Sequence, residues 1–239
     1  MNYSSYKIIL FRLISFSFAV LFWWMGIGRE AISGGENDWG GGIKYLTNWV
    51  LTLNLIVATT AIATQLLKRN INSNTIIAST MTMNLVIVAL FWGIILIDQN
   101  LLSKERLINQ TFFDWLWGFY LHVGMSVFLF WEGIVYNKPF VSVAKSYYLI
   151  LCLFFGYILW LELVISENNI APCGSISCGF PYQFLNDLDG MGRSYFYFGV
   201  WVLGTTSFLI CFLVIKLRNH FFRKYSNLSK LQQCRSLDV

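Results

Sequence analysis

Apolar residues run along this chain in six blocks of roughly twenty, separated by shorter polar stretches. A helix rises 1.5 Å per residue, so about 20 apolar residues cross a hydrocarbon layer about 30 Å thick. The blocks predict six spanning helices, at about Ile8–Met25, Tyr45–Leu67, Thr75–Ile97, Trp115–Val135, Tyr147–Ile165 and Tyr195–Ile215. The predicted fold class is all-α, a polytopic helical bundle. Residues 1–220 form the six-helix transmembrane domain and residues 221–239 a basic tail. The first block differs from a signal peptide. Its apolar run is too long, and Phe22-Trp23-Trp24-Met25 lacks the small residues of a cleavage site.

The stretches between blocks alternate in charge. Lys7 and Arg12 open the first block, Lys68 and Arg69 follow the second, and Lys138 and Lys145 follow the fourth, all without neighbouring acids. The tail carries six basic residues from Lys216 onward against Asp238 alone. The other loops mix signs: Arg29 and Lys44 with Glu30, Glu36 and Asp38; Lys104 and Arg106 with Asp98, Glu105 and Asp114; Arg193 with Glu167, Asp187 and Asp189. Basic residues mark the cytoplasmic side, so both termini are expected there.

Composition agrees with this pattern. Of the 239 residues 56% are hydrophobic and 12% charged, with a mean hydropathy of +0.58. Soluble domains carry about 25% charged residues, so the chain reads as an integral, multi-pass membrane protein. The 10 Trp fit aromatic belts at the interfaces. The net charge of +5 does not point to nucleic acid, because the basic tail is explained more simply by a membrane surface. The five cysteines show no zinc spacing. Cys173 and Cys178, in CGSISC, form a local disulfide if their side is oxidising, or stay as two thiols. Cys152 and Cys211 read as small hydrophobes. The glycines of GGENDWGGGIKY, Gly34–Tyr45, read as a flexible turn and not a phosphate loop, since no GKS or GKT follows.

Polar residues inside the blocks carry the candidate chemistry. His122 lies in the fourth block, about 7 residues or roughly 10 Å from its outer edge. An ionisable group at that depth needs a partner or a cavity. Thr47, Asn48, Glu162, Arg193 and Asp98 all fall toward the same side. Glu132 is ten residues, about 15 Å, further along the helix of His122, and Lys138 or Lys145 is its expected partner. Asn84 reads as an interhelical hydrogen-bonding group. With no second intramembrane histidine or nearby thiolate, neither zinc nor bis-histidine haem is expected, and no cofactor is. A threonine hydroxyl becomes a nucleophile when a base takes its proton, and histidine is the usual base. His122 has several hydroxyls to choose from: Thr47, Thr52, Thr59, Thr60 and Ser126.

Four stretches narrow that choice. GGIKYLTNW (Gly41–Trp49), LHVGMSVFLFWEG (Leu121–Gly133), FGYILWLELV (Phe155–Val164) and PYQFLNDLDGMGR (Pro181–Arg193) resemble, in order and spacing, the androgen-induced gene and androgen-dependent TFPI-regulating protein family with its bacterial membrane relatives. The resemblance runs from the second block to the sixth. Three positions depart from it: Gln183 replaces the proline of YPFL, Phe119 stands where some members have a second histidine, and Val127 where animal members have proline. The resemblance implies a multi-pass threonine hydrolase of fatty acid esters of hydroxy fatty acids, with Thr47 as nucleophile and His122 as base. The implied partner is a membrane lipid substrate. Asn48, Glu162 and Arg193 are the expected substrate-binding residues, Asn48 because it adjoins Thr47. Two rival readings keep the same fold: a non-enzymatic lipid-binding or transport protein, and a structural protein with a satisfied buried histidine.

Overall fold

The structure, a computed structural model, describes residues 3–28, 40–68, 71–97, 111–137, 139–168 and 179–235. Among these residues six helices are long and apolar enough to span a membrane: α1 (Tyr6–Gly28), α2 (Leu46–Leu67), α3 (Asn74–Ile97), α4 (Phe112–Tyr136), α5 (Val143–Asn168) and α6 (Gly190–Phe221). No strand occurs among the described residues. The chain is an integral, multi-pass membrane protein. The helix of α6 continues to Arg235, past residue 220. The proposed Cys173–Cys178 pairing, Asp98 and Lys138 lie outside the described residues.

The helices outrun their apolar blocks because polar caps carry them beyond the hydrocarbon. α4 begins three residues before Trp115. Thr111 accepts from the Asp114 N–H at 3.2 Å while the Asp114 carboxylate accepts from the Thr111 N–H at 3.0 Å. That reciprocal box satisfies two donors that a helix start leaves open. α6 begins at Gly190, and Asp189 accepts from the Gly192 N–H at 2.7 Å. Arg193 is thereby helical and not part of a loop.

α3 is the central helix, packed against α2, α4, α5 and α6. Ser79, Thr80, Thr82 and Asn84 on it are fully buried. Their polar atoms are all spent. Thr80 and Thr82 donate to carbonyls four residues back, and Ser79 also reaches the Ser146 carbonyl of α5 at 2.9 Å. Asn84 bonds across to α2, as its position in mid-helix predicts. Asn54 and Asn84 exchange amide hydrogen bonds of 2.9 and 3.0 Å. Interhelical bonds of this kind contribute roughly 0.6–1.7 kcal/mol each in membranes. Asn84→Leu orphans the Asn54 carbonyl oxygen and is expected to destabilise the bundle by about 1–2 kcal/mol. The double variant with Asn54→Leu should cost less than the two single changes added, read by unfolding in detergent.

Among the described residues four helical turns widen to π geometry: Trp24–Gly28, Tyr120–Gly124, Glu132–Tyr136 and Leu161–Ile165. His122, Glu132 and Glu162 each sit in one. Such turns carry an extra residue and are frequent at functional sites.

Glu132 corrects the expectation of an interfacial pair with Lys138 or Lys145. It is 5% exposed, and its partner is Arg12 of α1, itself 8% exposed. Arg12 Nη2 lies 2.6 Å and Nε 3.1 Å from Glu132 Oε1. Arg12 Nη1 donates to the Ala61 carbonyl and to Gln65 of α2, each at 3.1 Å. Asn137 donates to Glu132 Oε1 at 2.7 Å, and its carbonyl accepts from Arg218 of α6 at 3.1 Å. Arg12 therefore does more than mark topology: it ties α1, α2 and α4 together. This network lies toward the end of the bundle that holds the N-terminus, opposite the glycine-rich turn.

Candidate functional site

The glycine-rich turn is a packed device, not a flexible one, over the part described. Gly40 and Gly41 take φ of +87° and +43°, which side chains resist. A Cβ on Gly40 would stand 2.6 Å from Ile165 Cδ1. The chain then makes a 3-10 turn over Gly41–Lys44, extends at Tyr45 and starts α2 at Leu46. Three elements hold this start. Tyr157 of α5 donates to the Lys44 carbonyl at 2.8 Å. The Leu46 N–H donates to the Tyr182 hydroxyl oxygen at 3.1 Å. Asn48 donates to the Gly42 carbonyl at 2.8 Å and to the Gly26 carbonyl of α1 at 3.3 Å. Both donor directions of the Asn48 amide go to backbone, so the role this geometry supplies is fixing the turn, rather than offering donors to a substrate.

Thr47 occupies the first turn of α2. Its side chain, like that of Tyr157, stands close to the Tyr182 hydroxyl. The position matters chemically. Thr52, Thr59 and Thr60 each donate to a carbonyl of their own helix, at 2.9, 2.7 and 2.9 Å. That back-bonding is the ordinary fate of a threonine in a transmembrane helix. Thr47 sits too near the start of α2 to have a helical carbonyl behind it. Ser126 is the other exception: its Oγ is buried without a hydrogen-bond partner.

His122 lies on α4 in the π turn Tyr120–Gly124. Its ring stacks on Phe91 of α3, with centroids 3.5 Å apart and planes 6° from parallel. Its Nδ1 is buried and has no hydrogen-bond partner. No hydrogen bond joins His122 to Thr47. One contact and one shared neighbour relate the levels of α2 and α4. A Cβ on Gly26 would touch both Trp117 Cη2, at 2.6 Å, and Asn48 Oδ1, at 3.0 Å. Asn54 reaches Met125 Sδ at 3.6 Å. Between those levels His122 lies about one to one and a half turns deeper than Thr47, roughly 7 Å along the axes. α2 and α4 run in the same direction, so the lean of helical side chains toward their N-terminus applies to both residues and leaves the offset in place.

Glu162 and Arg193 meet each other. Arg193 Nε donates to Glu162 Oε1 at 3.0 Å, and Tyr197 donates to the same oxygen at 2.7 Å. Arg193 also donates to the Leu188 carbonyl at 2.8 Å and lies 4.8 Å over the Phe180 ring. Asn186 clasps Phe180 through its N–H and carbonyl, at 3.0 and 3.1 Å. This cluster stiffens the loop that delivers Tyr182. Burial, the largest influence on it, raises the Tyr182 phenol above its ordinary pKa, so it stays protonated.

Sequence reasoning passed over two residues here. Tyr182 stands within the PYQFL stretch but was given no role. Lys44 reads from the sequence as a loop cation, yet it is 3% exposed, with its amino group 5.4 Å over the Tyr45 ring. Its place in GGIKY, three residues before Thr47, was the available signal. Among the described residues no group of three His, Cys, Asp or Glu is placed to hold a metal.

The fold and site define a class: a six-span helical membrane protein with a hydroxyl–phenol cluster at one end of α2 and a buried histidine on α4. The match to the FAR-17a/AIG1-like protein family spans residues 7–215, and the chain belongs to that family. No curated protein and no solved structure gives a significant match to the chain.

Proposed function

We propose that the protein is an intramembrane hydrolase that cleaves a lipid ester with Thr47 as nucleophile and His122 as base. The observation that carries this reading is the state of Thr47. Its hydroxyl is not spent on its own helix, and the Tyr182 phenol, which accepts from the neighbouring Leu46 N–H, stands beside it at the helix start. Three of the four stretches that resemble the family, through Thr47, Tyr157 and Tyr182, converge there. The fourth supplies His122, whose Nδ1 is unpaired.

The reaction balances within these groups. Thr47 Oγ1 bonds to the ester carbonyl carbon while its proton passes to His122. The alkoxy bond breaks and His122 returns the proton to the leaving alcohol. Water then repeats both steps on the acyl-threonine. Catalytic hydrogen bonds are often long before substrate binds, and here an axial offset of roughly 7 Å must close on loading. The charge pattern of the loops supports an outside or lumenal Thr47 end, with the ester near that leaflet.

The absence of a Thr47–His122 hydrogen bond favours one rival, lipid binding without catalysis. A fluorophosphonate probe separates the two. The hydrolase reading expects the phosphonyl group on the peptide containing Thr47 by mass spectrometry, with fluoride released, and none on Thr47→Ala. Folded parent protein that takes no probe at Thr47 and cleaves no fatty acyl ester would overturn it.

A further inference from the structure

We propose that the cavity between α6 and the loop before α5 binds one anionic phospholipid, whose phosphate is held by Lys216 and Asn219. The cavity lies at the end of the bundle away from Thr47, so the site does not depend on Thr47 being a nucleophile.

The cavity measures about 330 Å³, within the range of small-ligand sites. One wall is α6. Phe212, Ile215, Lys216 and Asn219 line it at helical spacing, with His220 beside them. Toward the C-terminus that face changes from apolar to polar within about two turns. Such a face suits a molecule with a hydrocarbon part and a charged head. The other wall is Pro139 and Phe140, in the loop at residues 139–142. Phe140 takes φ of +66°, a conformation that bulky residues rarely adopt. Its ring is nevertheless buried, edge-on to Phe208 and Phe212 with centroids 5.4 and 6.0 Å away. Arg218 fastens the chain leading into this wall to α6, donating to the Asn137 carbonyl at 3.1 Å.

The polar end is built for an anion. Lys216 is exposed, and its amino group stands 5.9 Å over the Phe212 ring. Among the described residues no carboxylate pairs with it: Glu132 is committed to Arg12, and Glu162 to Arg193. The Asn219 carbonyl oxygen accepts from Arg218 at 3.1 Å, which fixes the amide and leaves its NH₂ group to donate. One fixed positive charge and a neighbouring amide donor match a phosphodiester, whose oxygens accept and whose single negative charge Lys216 neutralises. Position favours a lipid over a free phosphate. The span of α6 ends at Phe221, so Lys216 and Asn219 stand in its last two turns, at headgroup depth. Basic pockets between helices at that depth take anionic headgroups. Phe140, Phe212 and Ile215 offer apolar surface to the first carbons of the acyl chains, and an ion without chains would leave that surface uncovered.

Native mass spectrometry of the full-length protein released from detergent tests this, with phosphatidylglycerol and phosphatidylcholine of identical chains offered in equal amounts. The parent should retain one phosphatidylglycerol, favoured about ten-fold over phosphatidylcholine. Lys216→Gln should bring the preference below about three-fold, and adding Asn219→Leu should abolish it, whereas Lys216→Arg should keep it. Lys145→Gln removes an exposed charge that does not line the cavity and should retain the parent's preference. A parent without preference overturns the proposal. So does an equal loss in Lys145→Gln, which would mean diffuse attraction to a basic surface. Displacement of phosphatidylglycerol by equimolar oleate would assign the cavity to a fatty carboxylate, and displacement by equimolar inorganic phosphate would show that the chains contribute nothing. Either result overturns the phospholipid assignment.

Discussion

Glu132→Ala is expected to destabilise the protein by about 3–5 kcal/mol, because it leaves the Arg12 guanidinium buried without its carboxylate. The pair is short, 2.6 Å, and both side chains are less than one-tenth exposed. Arg12 keeps its bonds to the Ala61 carbonyl and Gln65, but these are neutral acceptors and do not cancel its charge. In hydrocarbon that charge must be offset, hydrated by a bilayer defect, or carried out by local unfolding. The Asn137 amide also loses its 2.7 Å carboxylate acceptor and keeps only the backbone carbonyl of residue 132, at 3.3 Å, which loosens the link from α4 to α6 through Arg218. Arg12→Met should cost a similar amount, since it strands the carboxylate. The double variant Arg12→Met, Glu132→Leu should recover most of the loss, because apolar residues of similar volume replace both charges together. Unfolding in a denaturing detergent gives the three values. Single variants within 1 kcal/mol of the parent would show that the pair does not hold α1 in place.

That ion pair also shows what the sequence could and could not disclose. Six apolar blocks disclose six helices, because the length of a membrane span is set by the bilayer and not by tertiary contacts. Their ends were read short for a physical reason: Thr111, Asp114 and Asp189 act as caps in the polar interface, where hydropathy says nothing. The T-x-x-D spacing of Thr111 and Asp114 was the missed signal. Arg12 and Glu132 are 120 residues apart, and no local pattern joins them. An arginine four residues inside the first apolar block was itself the sign that something opposite must be acidic. Asn84 was legible as a bonding group because any amide at mid-membrane must bond, although its partner, Asn54, was not. Thr47 could be separated from Thr52, Thr59 and Thr60 only by resemblance. The structure adds the physical distinction, a position before the helix has carbonyls to offer. Tyr182 was invisible because its contact crosses 136 residues and depends on how the loop before α6 folds back over the start of α2.

Thr47→Ala and His122→Gln are expected to lower kcat/KM for a fatty acyl ester by on the order of 10³–10⁴-fold each, and the double variant by no more than either alone. The reasoning concerns a unit, not two contributions. Without the base, the threonine hydroxyl is a poor nucleophile at neutral pH. Without the hydroxyl, His122 has no proton to take, and only slow attack by water remains. Groups that act in one step lose their effect together, so their logarithmic losses do not add. Additive losses would instead mean that His122 serves through something other than Thr47, such as packing on Phe91. Glutamine keeps much of the imidazole's bulk against that ring and removes its basicity, which isolates the proton-transfer role. The pH profile gives a second reading of the same point. A base must be unprotonated, so the parent rate should rise with pH through the titration of His122, and the residual rate of His122→Gln should not. Because His220 is the other histidine and lies at the opposite end of α6, His220→Gln should leave that rise intact.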